Sequence, residues 1–187
     1  MNKTIEEYTK EIHQQNVSVG WWDNPDECIY QKIQLISTEI CEATEGERKN
    51  LMDDHLPTRK MGEVELADAL IRTLDLGGKL RLVYDSKYRK PPNVMVNIFS
   101  SIGKQHLGIT QALAQFSIYY DLTQTAPDGG WEHPRNTHYS ELIESILKCA
   151  EINSYDIYAA MDEKLIYNKN RQDHKRENRK QEGGKSF

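Results

Sequence analysis

The sequence predicts an all-α protein, a bundle of amphipathic helices. Two observations carry this. Apolar residues recur at alternating spacings of three and four in segment after segment, and no stretch shows the period-two alternation of a half-buried strand. A third points to function: on two adjacent predicted helices, carboxylates lie along the edge of the apolar stripe.

Residues 4–15 are polar, with Ile5, Tyr8 and Ile12 spaced for one helix face. A turn-rich stretch follows, Val17-Ser18-Val19-Gly20-Trp21-Trp22-Asp23-Asn24-Pro25, and Asp26 is placed to cap the next helix. Over 27–46, Ile29, Ile33, Ile36, Ile40 and Ala43 define a strongly amphipathic helix. A polar connection with Pro57 and Gly62 leads to a helix over 63–82 that buries Val64, Ala67, Leu70, Ile71 and Leu74. Gly77-Gly78 weakens the helical signal at its end.

Tyr84 to Asn93, with Pro91-Pro92, breaks the pattern. Ile102, His106, Ile109, Leu113, Phe116 and Tyr120 then mark a third long helix. Residues 121–137, holding Pro127, Asp128-Gly129-Gly130 and Pro134, read as an exposed loop. Two more helices are expected, at 138–151 and 154–172. In the last, a stripe of Ile157 and Met161 changes into Lys164, Asn168 and Arg171. The expected organisation is one domain over 1–176 and a flexible basic tail over 177–187.

Composition narrows the function classes. Of 187 residues 28% are charged and the formal net charge is −5, the opposite balance from a nucleic-acid binder. No apolar run approaches ~18 residues, so no membrane span is expected, and the N-terminus lacks the apolar core of a signal peptide. Cys28, Cys41 and Cys149 form no CxxC pair and suit a reducing compartment as small core residues. The expectation is a cytoplasmic protein.

The chemistry centres on Glu39 with Glu42, and Glu65 with Asp68. Spacing of i, i+3 stacks two carboxylates about one turn apart on a helix. Two such helices side by side bring four acids into one small volume, where they repel or raise each other's pKa unless a cation offsets them. Either pair alone marks only a solvated face. Together, flanking two buried stripes, they point to a divalent metal site of oxygen ligands. With no histidine or cysteine at ligand spacing, Mg2+ fits, with Mn2+ as a substitute, rather than zinc. The Glu-x-x-His pairs of di-iron bundles are missing. Mg2+ is commonly held by a few carboxylates and the phosphates of its substrate. Cationic Lys164 and Arg171 with Asn168 therefore suggest a nucleoside triphosphate.

Other residues admit two readings. Trp21 or Trp22 stacks on a base or packs in the core. Lys32, two turns before Glu39, reaches a phosphate or pairs with a carboxylate. Asp75 extends the acidic stripe or forms a salt bridge to Arg72 or another cation. His106 on an apolar stripe reads as a satisfied core histidine, and His55, His133 and His138 show no ligand spacing.

These residues resemble the MazG-like family of all-alpha nucleoside triphosphate pyrophosphohydrolases. Its signature is Glu-Glu-x-x-Glu, a spacer, then Glu-x-x-Asp; here Glu39, Glu42, Glu65 and Asp68 supply it, with Thr38 in place of the first glutamate. Gly20-Trp21-Trp22-Asp23 is similar to the Gly-Phe-Trp lead-in of some branches. Lys164, Asn168 and Arg171 match a closing Lys-x-x-x-Asn-x-x-Arg element. The Gly183-Gly184-Lys185 ending is similar to that of many members, phage-encoded ones among them. The likeness covers 17–82 and 139–187 and leaves 83–138 as an expected helical insertion.

The resemblance implies a MazG-like bundle that converts (d)NTP and water to (d)NMP and pyrophosphate. Glu39, Glu42, Glu65 and Asp68 would hold Mg2+, and Glu39 or Glu42 would take the proton of the attacking water. Lys164, Asn168, Arg171, Trp22 and Lys32 would bind substrate. Members are homodimers or homotetramers with sites near the interface, and a phage-encoded member would act in the host cytoplasm. Thr38 and the insertion also admit a non-catalytic nucleotide-binding or host-factor interaction protein on the same scaffold.

Overall fold

The computed structural model describes residues 3–24, 28–88, 101–125, 132–172 and 176–179. Among these, helices account for all the regular structure; the one β-type contact is an isolated bridge between Met52 and Lys60. The order is α1 (Ile5–Ser18), α2 (Ile29–Lys49), α3 (Met61–Leu80), a 3-10 turn (Ser86–Tyr88), α4 (Ile102–Thr125), α5 (Glu132–Ile152), α6 (Ile157–Asn170) and the single turn α7 (Arg176–Arg179).

Helix α3 is the axis of the bundle. It is buried on nearly every side and packs against α1, α2, α5 and α6. Four helices enclose it, and Leu66, Ala67, Leu70 and Leu74 are fully buried. The predicted stripes supply the rest: Ile33, Ile36, Ile40 and Ala43 from α2, Ile109, Leu113, Phe116 and Tyr120 from α4, and Leu142, Ile143 and Ile146 from α5. Helix α4, within the 83–138 stretch, thus contributes to the same hydrophobic cluster as α2 and α3.

Local signals set several ends. Thr4 and Glu7 form a reciprocal capping box at α1. The Asp156 carboxylate accepts from the Ala159 N–H to start α6. The expected cap Asp26 lies outside the described residues, as do the proline pair Pro91-Pro92, the glycines at 129–130 and the tail beyond 179. Residue Cys28 flanks α2 with no side-chain capping bond.

Two expectations are corrected. Helix α5 begins at Glu132, not near 138, because Pro134 falls in the first turn, where no intrahelical N–H bond is lost. Cys28 and Cys41 are exposed, and only Cys149 is a core residue. The pair Gly77-Gly78 lies within α3, inside the expected range of 63–82, and lets other elements approach the helix. A Cβ on Gly77 would lie 2.1 Å from the Tyr139 hydroxyl, and one on Gly78 2.6 Å from the His13 Cβ. No helix among the described residues is long and apolar enough to cross a membrane.

Candidate metal and anion site

Helices α2 and α3 run antiparallel, joined by the polar segment 50–60, so the acidic edge of one faces that of the other. Glu39 of α2 therefore meets Arg72 of α3, and Glu42 meets Glu65. Carboxylate oxygens of Glu39, Glu42 and Glu65 all lie within 4.8 Å of one another. Glu39 and Glu65 are buried and Glu42 is exposed. Asp68, one turn along α3 from Glu65, accepts from the Lys164 ammonium of α6 at 2.8 Å. Lys164 itself is only 3% exposed.

Crowding alters the acid chemistry. Burial, and then the Asp68 charge, push the Glu65 carboxyl up to about 9, with the Lys164 ammonium offsetting part of the rise. Asp68 is also raised, again by burial first, with Lys164 opposing. Burial alone would lower Lys164, but Asp68, Glu65 and Asp53 together outweigh it and its pKa is raised. Glu65 thus keeps its proton at neutral pH. A divalent cation held there would favour the ionised form of Glu65.

A cleft of roughly 330 Å³ opens beside these acids and shares Asp68 and Arg72 with them. Lys32, Arg72, Lys169 and Arg171 line it, against two carboxylates, Asp68 and Asp75. Both of those are engaged: Asp68 by Lys164, and Asp75 by the ring Nδ1–H of His13 (2.8 Å), the Asn16 amide (2.7 Å) and the Trp22 indole N–H (3.0 Å). The walls are therefore net cationic. Trp21, Leu35, Ile71, Leu76 and Leu165 add apolar surface. The Oδ1 atom of Asn168, another lining residue, is buried without a hydrogen-bond partner.

The predicted residues separate into groups. Glu39, Glu42 and Glu65 converge as expected. Asp68 and Lys164 face each other directly, so the lysine meets an acid of the site. Asn168, Arg171, Lys32 and Trp22 all line the cleft. The Lys32 ammonium lies over the rings of Trp22 (4.8 Å) and Trp21 (5.6 Å), and Lys79 over Trp22 at 5.0 Å. Arg72 pairs not with Asp75 but with Glu39, at 2.6 Å. Asp75 ties α1 and the Trp22 segment to α3. Thr38 donates back to the Leu35 carbonyl. His106 is buried with Nδ1 against Thr44 Oγ1, but its Nε2 has no partner, so the core histidine is only half satisfied.

Sequence reasoning missed Gln15 and Asn16, which line the cleft from the end of α1, and buried Asp53, whose charge bears on Lys164. Polar residues at a helix end carry no spacing signal. Arg72 had one: it continues the Glu65, Asp68 stripe at the next i+4 position. No family model, curated protein or solved structure matches the chain.

Proposed function

We propose that the protein is a Mg2+-dependent nucleoside triphosphate pyrophosphohydrolase of MazG-like type, converting (d)NTP and water to (d)NMP and pyrophosphate. The observation that supports it best is the juxtaposition of three carboxylates within 4.8 Å and a cation-lined cleft of nucleoside size. Acid at one end and cations along the walls suit an anion that brings its own divalent ion, as a Mg2+–polyphosphate does. The all-oxygen donor set agrees with Mg2+ or Mn2+.

In this reading Glu39, Glu42 and Glu65 hold the ion, with Asp68 beside them. A divalent ion there would lower the pKa of its water and offset charge on the phosphoryl oxygens. Glu42, the exposed member, accepts the proton of the attacking water. Arg171 grips phosphate oxygens with its planar fork. The unpartnered acceptor of Asn168 calls for a donor, which a phosphate at neutral pH does not offer. It is assigned to a sugar hydroxyl or a base N–H. The apolar wall by Trp21 and Leu35 takes the base.

The test is a panel of nucleoside triphosphates with Mg2+, products resolved by chromatography. Monophosphate and pyrophosphate in equal amounts are expected; orthophosphate with the diphosphate would refute the assignment. A second reading has its own support. Glu39 and Asp68 are already ion-paired to Arg72 and Lys164, which suits a protein that binds a nucleotide, or contacts a host factor, without turnover. Saturable, metal-dependent nucleotide binding with no product over hours would select it.

A further inference from the structure

Helix α4 carries two faces. The inner one holds Ile109, Leu113, Phe116 and Tyr120 in the core. The outer one is uncharged for four turns: between Lys104 and Asp121 no residue is acidic or cationic except His106, which is buried with its pKa lowered by that burial. Such a gap is anomalous in a chain with 28% charged residues. The exposed faces of α1 and α2 carry Glu6, Glu7, Lys49 and Arg48. On α4 one stripe of exposed positions is instead Lys104, Leu107, Gln111, Ala114, Ile118 and Asp121, at spacings of 3, 4, 3, 4 and 3, with Thr110 and Gln115, exposed and uncharged, beside it. Leu107 is 57% exposed and Ile118 51%. Alternating threes and fours is the repeat of a coiled-coil seam, where one helix lies along another.

We propose that this face is where a second copy of the chain docks, with the two α4 helices antiparallel about a two-fold axis. The register is set by the residues themselves. A two-fold axis between Ala112 and Leu113 places Leu107 opposite Ile118 of the second copy, and Gln111 opposite its Ala114. The same axis places Lys104 opposite the second copy's Asp121, at both ends of the seam. Every inward position thus meets its complement twice, as a self-complementary interface requires. A parallel pairing would set Lys104 against Lys104 and Asp121 against Asp121, which repel. Ala114 is small and lets the helices come close. The Asp121 Oδ1 atom accepts from Tyr30 of its own chain, leaving Oδ2 for the lysine across the axis. In a protein of net charge −5, this uncharged face lets two copies meet without bringing acid against acid.

Sedimentation velocity on the full-length protein tests this. The expected species is a dimer of about 43 kDa, twice the 21.7 kDa chain, or a multiple of it. Ile118→Glu and Leu107→Glu, both at exposed positions, should remove that association while leaving the helical circular dichroism unchanged. Lys104→Glu should weaken it at least about tenfold. Adding Asp121→Lys to that variant should restore it, because the exchanged charges again face each other. A wild-type protein that stays monomeric at high micromolar concentration overturns the proposal. So does an oligomer indifferent to both glutamate variants. Failure of the charge exchange to rescue overturns the antiparallel register.

Discussion

Two buried polar regions lie along the α2–α3 pair, and they are built on opposite rules. At the end of α2, donors and acceptors are matched. Arg59 donates to Glu63 and Glu163, and Glu63 also accepts from the Asp156 N–H. Tyr155 donates to Glu47, Asn153 to Gln105, and His106 bonds Thr44. Two to three turns away, carboxyl groups of Glu39, Glu42 and Glu65 crowd together, and Glu65 stays neutral only by holding a proton far above its ordinary range. Matched groups stabilise a fold because burial leaves few of them unsatisfied. A crowded acid trio works against folding unless something else completes it. The contrast separates polar groups that serve the bundle from those that serve a ligand. It makes opposite forecasts for mutations in the two places.

The largest effect belongs to the acid trio and falls on turnover, not stability. Glu42→Ala removes an exposed carboxylate that holds nothing in the bundle. It should cost about a thousandfold in kcat, roughly 4 kcal/mol of barrier, at unchanged or higher melting temperature. Normal pyrophosphate release by this variant would remove Glu42 from the site. Asp68→Ala should also abolish turnover, but with a stability loss of about 3 kcal/mol, since it strands the buried Lys164 ammonium. Thermal melts of the two variants tell these roles apart.

The matched region should respond the other way. Glu63→Ala leaves Arg59 and the Asp156 N–H short of an acceptor. A loss of about 3 kcal/mol follows for a buried pair broken on one side, seen as a melting point lower by roughly 6–12 °C for a chain this size. Turnover per folded molecule should not change. A variant as stable as wild type would show that Glu63 is not part of the matched set.

pH sharpens the comparison further, because the two regions titrate in opposite senses. Glu65 is held near 9, against an ordinary value of 4.5, so the folded state binds its proton more tightly than the unfolded chain. That contribution is complete below about 4.5 and is lost as pH rises toward 9. His106 is lowered below 6.5 by burial, so its region loses stability as pH falls below that value. Melting curves without metal should therefore decline toward alkaline pH. Added Mg2+ should recover more stability at pH 8.5 than at pH 6 and release protons on binding, measurable by calorimetry in two buffers. Glu65→Gln should flatten the alkaline decline and abolish the Mg2+ response. A decline of unchanged slope in that variant would locate the titration elsewhere.

Much of this arrangement was legible in the sequence, and the reason is periodicity. The stripes Ile33, Ile36, Ile40, Ala43 and Ile109, Leu113, Phe116, Tyr120 are buried as their spacing demands. The same periodicity put Glu39 and Glu65 at the border of the core, where they lie. What periodicity does not encode is which groups pair across elements. Arg72 had two acids within reach on its own helix and took Glu39 on another. Asp75 admitted a place in the acidic stripe or a salt bridge to Arg72 or another cation, and the partners that converge on it are His13, Asn16 and Trp22. Gly77-Gly78 weakened the helical signal because propensity sees only the missing side chain. The structure shows what the missing side chain admits, the Tyr139 ring and His13. Contacts between elements distant in sequence are the part that a linear pattern leaves open.

The smallest effect tests whether a half-satisfied group belongs to the matched region at all. His106 donates through Nδ1 to Thr44 Oγ1, at 2.8 Å, since the Thr44 hydroxyl hydrogen is directed to the Ile40 carbonyl. Its Nε2 is then a bare acceptor, buried with no partner. Thr44→Val keeps the shape of the side chain and removes the acceptor for Nδ1–H. Burying that donor unpaired should cost about 1 kcal/mol, a fall of roughly 2–4 °C in Tm, with kcat and KM untouched. Were turnover to fall while Tm held, the Thr44–His106 pair would belong with the acids of α2. The division of the molecule into a matched end and a crowded middle would then have to be redrawn one turn along that helix.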